Sequence, residues 1–172
     1  MKSEELKKSG SVVEENAENA EIKWLTFWLD KQLFGVSITN VEQIVSMQPV
    51  TGMPDYPGYV KGVINLRGTM IPVIDLRMRL GKQEMQYTDH TCIIINRVDH
   101  EQLGFIVDEV DAVIDIPGEA ISSPPRIGGD GVNKYLMGIA RISDDGAKEK
   151  IVLCLDAAKV LRDDELQSLY EM

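Results

Sequence analysis

The chain of 172 residues has only two cysteines, three phenylalanines, two tryptophans and five tyrosines. Both cysteines lie inside apolar runs, Cys92 in TCIIIN and Cys154 in IVLCLD, where cysteine serves as a small hydrophobe. Nothing there resembles a secreted disulfide framework. Positive charge is scarce as well: 18 basic residues stand against 28 acidic ones, a formal charge of -10. Duplex binding draws its affinity from neutralised phosphates, so this balance argues against nucleic acid, and equally against a polybasic membrane contact. An aromatic content of 6% speaks against the stacking platform of an oligonucleotide-binding barrel. No stretch approaches the ~18 consecutive apolar residues of a membrane span. The N-terminus lacks a signal peptide's apolar run, so a cytoplasmic protein without membrane insertion is expected.

Catalytic chemistry is equally thin. There is no Gly-x-Ser-x-Gly, no phosphate-binding loop and no paired-His metalloprotease motif. The glycine-rich GGDG at 128–131 lacks the strand-to-helix context of a phosphate cradle and reads as a turn. His90, Cys92 and His100 are a loose constellation, short of the roughly four tetrahedral ligands that zinc requires. No catalytic residue, metal site or cofactor is expected, and the chain is not read as an enzyme.

What is present is strand texture. Residues 1–21 carry three lysines, six glutamates and few large apolar side chains, and are expected to form a disordered acidic tail. From Ile22 onward, short runs rich in Val and Ile alternate with Gly, Pro, Asn and Asp, too closely spaced for crossover helices. About ten such runs predict an all-β domain of small barrels or a sandwich over 22–172. The end differs: Val160, Leu161, Leu166, Leu169 and Tyr170 have helical spacing, predicting a C-terminal helix over 157–171 with Asp163 able to cap a final turn.

The chain also repeats itself. LDKQLFGVSITNVEQIV from Leu29 matches VDHEQLGFIVDEVDAVI from Val98, YVKGVINL from Tyr59 matches YLMGIARI from Tyr135, and IPVIDL from Ile71 matches VLCLDA from Val152. The two halves read as one five-stranded unit used twice, roughly 22–90 and 91–156, too small to be stable singly and so sharing a core. Asp75 and Asp156 are equivalent under the repeat and read as strand-end residues bonding turn amides, rather than as an acid–base pair. The proline in strand MIPVIDL, Pro72, cannot donate to a ladder and places that strand at a sheet edge or bulge. Arg67-Gly68 before it reads as a tight turn, with Arg67 at a hairpin tip and no acidic neighbour in sequence.

Gly62-Val63-Ile64-Asn65-Leu66-Arg67-Gly68, followed by Ile71-Pro72-Val73-Ile74-Asp75-Leu76, resembles the core signature of the CheW-type bacterial chemotaxis adaptors. Phe34-Gly35 upstream, then Gly104, Val107-Asp108, Val110 and Tyr135-x-x-Gly138 downstream, fall in that family's order. The resemblance runs from about Lys23 to the C-terminus. It implies two intertwined five-stranded SH3-like β-barrels with a short C-terminal helix. It also implies a non-enzymatic signalling adaptor between the cytoplasmic tips of transmembrane chemoreceptors and the regulatory domain of a histidine kinase, recruited to receptor arrays at the inner face of the membrane. The alternative is a regulatory or ligand-binding β-barrel module of another signalling system. Carried over position by position, the resemblance puts Val41, Gln43, Ile44, Gly62, Arg67 and Ile127 at partner contacts. Gln43 stands where the family commonly has glutamate, and Ile127 where an aromatic residue can occur.

Overall fold

A computed structural model of the chain describes residues 21–124, 132–143 and 148–170. The expected tail (all of it but Glu21) and Ile127 lie outside these. Among the described residues eleven strands follow one another as β1 (Glu21–Leu29), β2 (Gln32–Ser37), β3 (Val41–Ser46), β4 (Val60–Leu66), β5 (Thr69–Asp75), β6 (Cys92–Val98), β7 (Glu101–Val107), β8 (Glu109–Pro117), β9 (Ile121–Ser122), β10 (Leu136–Ser143) and β11 (Glu149–Leu155). Short helices α1 (Leu76–Arg79), α2 (Ala157–Leu161) and α3 (Asp164–Gln167) follow the last strand of each half. The strands form a six-stranded sheet, β8-β1-β2-β11-β10-β9, and a five-stranded sheet, β3-β6-β7-β5-β4. We call the five-stranded unit the first barrel and the six-stranded unit the second.

That order corrects the expected division at residue 90. β1 and β2 belong to the first half of the chain but pair with β8 and β11 of the second; β6 and β7 complete the sheet of β3, β4 and β5. The exchange is reciprocal. Gly35 of β2 lies opposite Cys154 in a parallel ladder, and its repeat partner Gly104 of β7 lies opposite Val73, which matches Cys154 under the repeat. The repeat unit therefore does exist, but each barrel is assembled from both copies.

The apolar runs are buried on both faces, which is why they lack clean alternation. Ile93 and Ile95 of β6 enter the first-barrel core with Ile64, Ile71 and Val73, while Ile94 between them enters a core shared by both barrels. In β1, Trp24 faces the second-barrel core while Leu25, Phe27 and Leu29 face the shared one. Phe27 and Phe34 stack there with centroids 6.2 Å apart. Cys154 is fully buried, and burial pushes its thiol up to about 12.

Three local expectations meet their outcome here. Asp75 and Asp156 both cap helices: Asp75 accepts from the Met78 amide (3.2 Å) and Asp156 from the Ala158 amide (3.0 Å). Their own amides donate to the carbonyls of Tyr59 (2.7 Å) and Tyr135 (2.8 Å), so both pairs are equivalent in space. Pro72 is not on an edge strand, since β5 runs between β4 and β7, and the bulge of this hairpin lies one pair away, between Val60 and Gly62 of β4. It is tolerated because the ladder to β7 spans only Val73 to Asp75. Val63, opposite Pro72, exchanges both its backbone bonds (2.9 Å each) with Thr51, so this pair needs no N–H from Pro72. The C-terminal helix is broken: the chain is extended at Asp163 (φ -62°, ψ 137°), whose side chain caps α3 instead of continuing α2.

Candidate docking surface

β3 and β8 end their sheets, and they are equivalent under the repeat. Each shows an aliphatic side chain to solvent at the matching place, Ile44 at 44% exposure and Val113 at 51%. Val41 is half-buried against the shared core, and Gln43 is half-buried beside it. A bulge between Val41 and Gln43 sets Glu42 out of register, and its carboxylate takes Arg97 Nε (2.5 Å) and Gln102 Nε2 (2.7 Å). Glu42 is thus held by β6 and β7 and is no partner for Arg67.

Arg67 sits at the tip of the β4–β5 hairpin. Its φ of 53° and that of Gly68 at 88° place both in the left-handed region, as a two-residue hairpin turn requires. Asn65 Oδ1 accepts from the Gly68 amide (2.8 Å) and fixes the turn. The Arg67 side chain is exposed and, among the described residues, makes no ion pair or hydrogen bond, including none to β3. An exposed, unpaired guanidinium on a rigid turn offers a planar fork to an incoming carboxylate.

Gly62 is different in kind. It is buried, its φ is 140°, and a Cβ there would stand 1.9 Å from Thr51 O. Its repeat partner Gly138 shows the same close approach, 2.4 Å to Ser122 O. Gly62 lets the Thr51 segment close on β4, just as Gly138 lets β9 pair with β10. Its contribution to any docking surface is the backbone it shapes.

A second assembly, which sequence reasoning did not assign, joins the barrels. Arg79 stacks between the repeat-related rings of Tyr59 (4.5 Å) and Tyr135 (4.8 Å) and forms an ion pair with Asp163. Tyr135 Oη donates to Asp163 (2.9 Å), Lys134 lies 3.2 Å from it, and Tyr59 Oη donates to Glu165 (2.6 Å). Burial raises the Asp163 carboxyl, but the Glu165 amide, Tyr135, Lys134 and Arg79 together outweigh it and hold the group below the ordinary carboxylate range. Burial, then the bond to Asp163, pushes the Tyr135 phenol up. The Tyr59–Tyr135 match in the repeat was the available signal; nothing local marked Arg79 as their common partner. Val113 was missed too, although the repeat sets it against Ile44.

No group of three or more His, Cys, Asp and Glu side chains among the described residues is placed to hold a metal ion. His90 instead lies 3.6 Å from Glu109. No helix of the described residues is long and apolar enough to cross a membrane.

The CheW-like domain profile matches residues 23–165, which includes both barrels and the cluster around Arg79. The chain belongs to the CheW-like domain family. It is 35% identical over 154 residues to the chemotaxis protein CheW of Treponema pallidum, covering 87% of each chain. It is 29% identical over 144 residues to that of Klebsiella aerogenes, covering 84% of each. The crystal structure of the scaffolding protein TtCheW from Thermoanaerobacter tengcongensis superposes with a TM-score of 0.73 at 31% identity, over 84% of this chain and 90% of that one. The two SH3-like barrels are thereby those of a CheW-type chemotaxis adaptor, a scaffold and not an enzyme.

Proposed function

We propose that this chain couples chemoreceptors to a histidine kinase, with the first barrel docking the kinase's regulatory domain and the receptor's helical tip binding near the groove between barrels. Recruitment to receptor arrays at the inner face of the membrane follows from binding the receptor. Arg67 carries this reading. It is a rigidly presented cation without a partner among the described residues, in a chain of net charge -10; Ile44 adds an exposed aliphatic side chain on the edge strand β3 of the same sheet. Val41 and Gln43 support Ile44 from the same strand, and Ile127 is proposed as an apolar contact of the second barrel.

Titration calorimetry of Arg67→Ala against the kinase regulatory domain and the receptor tip, measured separately, tests this. Loss of one charge-assisted hydrogen bond of roughly 1.5–3 kcal/mol weakens one of the two by about tenfold to a hundredfold. Lysine restores only part, because it keeps the charge without the fork. Gln43→Glu weakens binding if a new local pair holds Arg67 back. Unaltered affinity of Arg67→Ala for both partners, or a fall in melting temperature large enough to explain the loss, refutes the assignment.

A further inference from the structure

The repeat relates two surface grooves, and the way the chain treats one indicates what the other receives. In the first barrel a groove of about 430 Å³ lies between β5 and the β6–β7 turn, lined by Met70, Pro72 and Gln102. The chain's own C-terminal turn forms its far wall: Leu169 is buried at 5% exposure, and Tyr170 Oη donates to the Gln102 carbonyl (2.7 Å). The equivalent groove of the second barrel, about 400 Å³, lies between β11 and the β1–β2 turn. Ile151 stands there in place of Met70, Leu153 in place of Pro72 and Leu33 in place of Gln102. Among the described residues no third element covers it; Ile151 is 54% exposed and Trp28 is half-buried.

The charges differ as well. Most cations of the described part are held by the chain's own carboxylates: Arg77 by Asp108 and Asp30, Arg97 by Glu42, Arg162 by Asp99, Lys61 by Glu84. Lys31 and Lys150 have no such partner among the described residues, and both line this groove. The one carboxylate there, Glu149, faces Arg141 at 3.8 Å. An apolar floor with a half-buried tryptophan, flanked by two unpaired ammonium groups, is complementary to an apolar anchor flanked by acids.

We propose that the second-barrel groove between β11 and the β1–β2 turn docks a short acidic segment of a partner protein, its aliphatic or aromatic side chain on Trp28, Leu33 and Ile151 and its carboxylates on Lys31 and Lys150. The sequence DDELQSLY at 163–170, which carries the Leu and Tyr that wall the first groove, is the chain's own example of such a segment. The inference does not depend on the coupling role proposed above.

The test uses the full chain, isotope-labelled, titrated with a synthetic peptide of sequence DDELQSLY and followed by amide and indole chemical shifts. Saturable shifts at Trp28, Lys31 and Ile151 are expected, together with a loss of affinity as salt rises. The double variant Lys31→Glu/Lys150→Glu, altered only at exposed positions, weakens binding at least about tenfold, and Trp28→Phe weakens it less. A peptide with lysine in place of each acid binds at least about tenfold more weakly to the unaltered chain. The proposal is overturned if charge reversal leaves affinity unchanged, or if the lysine peptide binds equally well. It is also overturned if the shifts fall around Met70 and Gln102, where the peptide would be replacing the chain's own terminus. Concentration-dependent dimers that the double variant abolishes would assign the groove to a second copy of this chain and equally overturn it.

Discussion

Replacing Arg79 by alanine strips the junction between the barrels of its central cation. The side chain stacks on two tyrosine rings at 4.5 and 4.8 Å, each contact worth about 0.5–1 kcal/mol at exposed sites and more when desolvated. It also pairs with Asp163, whose side chain is only 6% exposed. Removing one partner of a buried pair costs about 3–5 kcal/mol, because the other charge is left uncompensated. Asp163 keeps Lys134, the Tyr135 hydroxyl and the Glu165 amide, which favours the lower end of that range. The contributions overlap, so the expected loss is about 3–4 kcal/mol rather than their sum. For a domain of this size each kcal/mol moves the melting temperature by about 2–4 °C, giving a fall of roughly 6–15 °C. Calorimetric melting with urea titration reads both quantities. A double-mutant cycle with Asp163→Ala isolates the pair, and a coupling above about 1.5 kcal/mol is expected. A loss below about 1 kcal/mol, or additive single mutants, would mean that the stack and the ion pair do not hold the barrels together.

The remaining expectations are smaller in scope. Gly62→Ala and Gly138→Ala destabilise by more than about 2 kcal/mol, because a Cβ meets backbone oxygen at 1.9 and 2.4 Å; Gly68→Ala, with open space around it and φ at 88°, costs only about 1 kcal/mol, all read by denaturant melts. Asp163 has a folded-state carboxyl below its ordinary value, so its contribution is present above the unfolded value near pH 4 and is lost as pH falls through the folded one. Stability of the unaltered chain therefore drops more steeply between about pH 5 and pH 3 than that of Asp163→Asn, as urea midpoints across that range will register. Asp156→Ala removes the cap of α2 and costs about 1 kcal/mol, while Asp75→Ala costs more because it also orphans the Tyr87 hydroxyl (2.9 Å).

Much of this protein was legible from local chemistry. Apolar runs broken by turn residues fixed the strands, the tight turn at Arg67-Gly68 was written in its residues, and Asp75 and Asp156 were recognisable as strand-end groups bonding turn amides, although the short helices they cap and the left-handed backbone of Arg67 were not foreseen. The internal repeat foretold that Gly35 and Gly104, or Tyr59 and Tyr135, would be equivalent. Which strands pair was decided only in three dimensions. A repeat reports that two units are alike and is silent on whether each closes on itself or exchanges its first two strands. The exchange follows from burying both faces of runs such as CIII and FWL, each of which needs a core on either side. The interior place of Pro72 has the same origin: local rules assign it an edge or a bulge, yet Thr51 and the start of the β7 ladder remove the need for its N–H. Arg79 is the plainest case. Its two tyrosines lie 20 and 56 residues away along the chain, and only the packing of one barrel on the other makes them a single site.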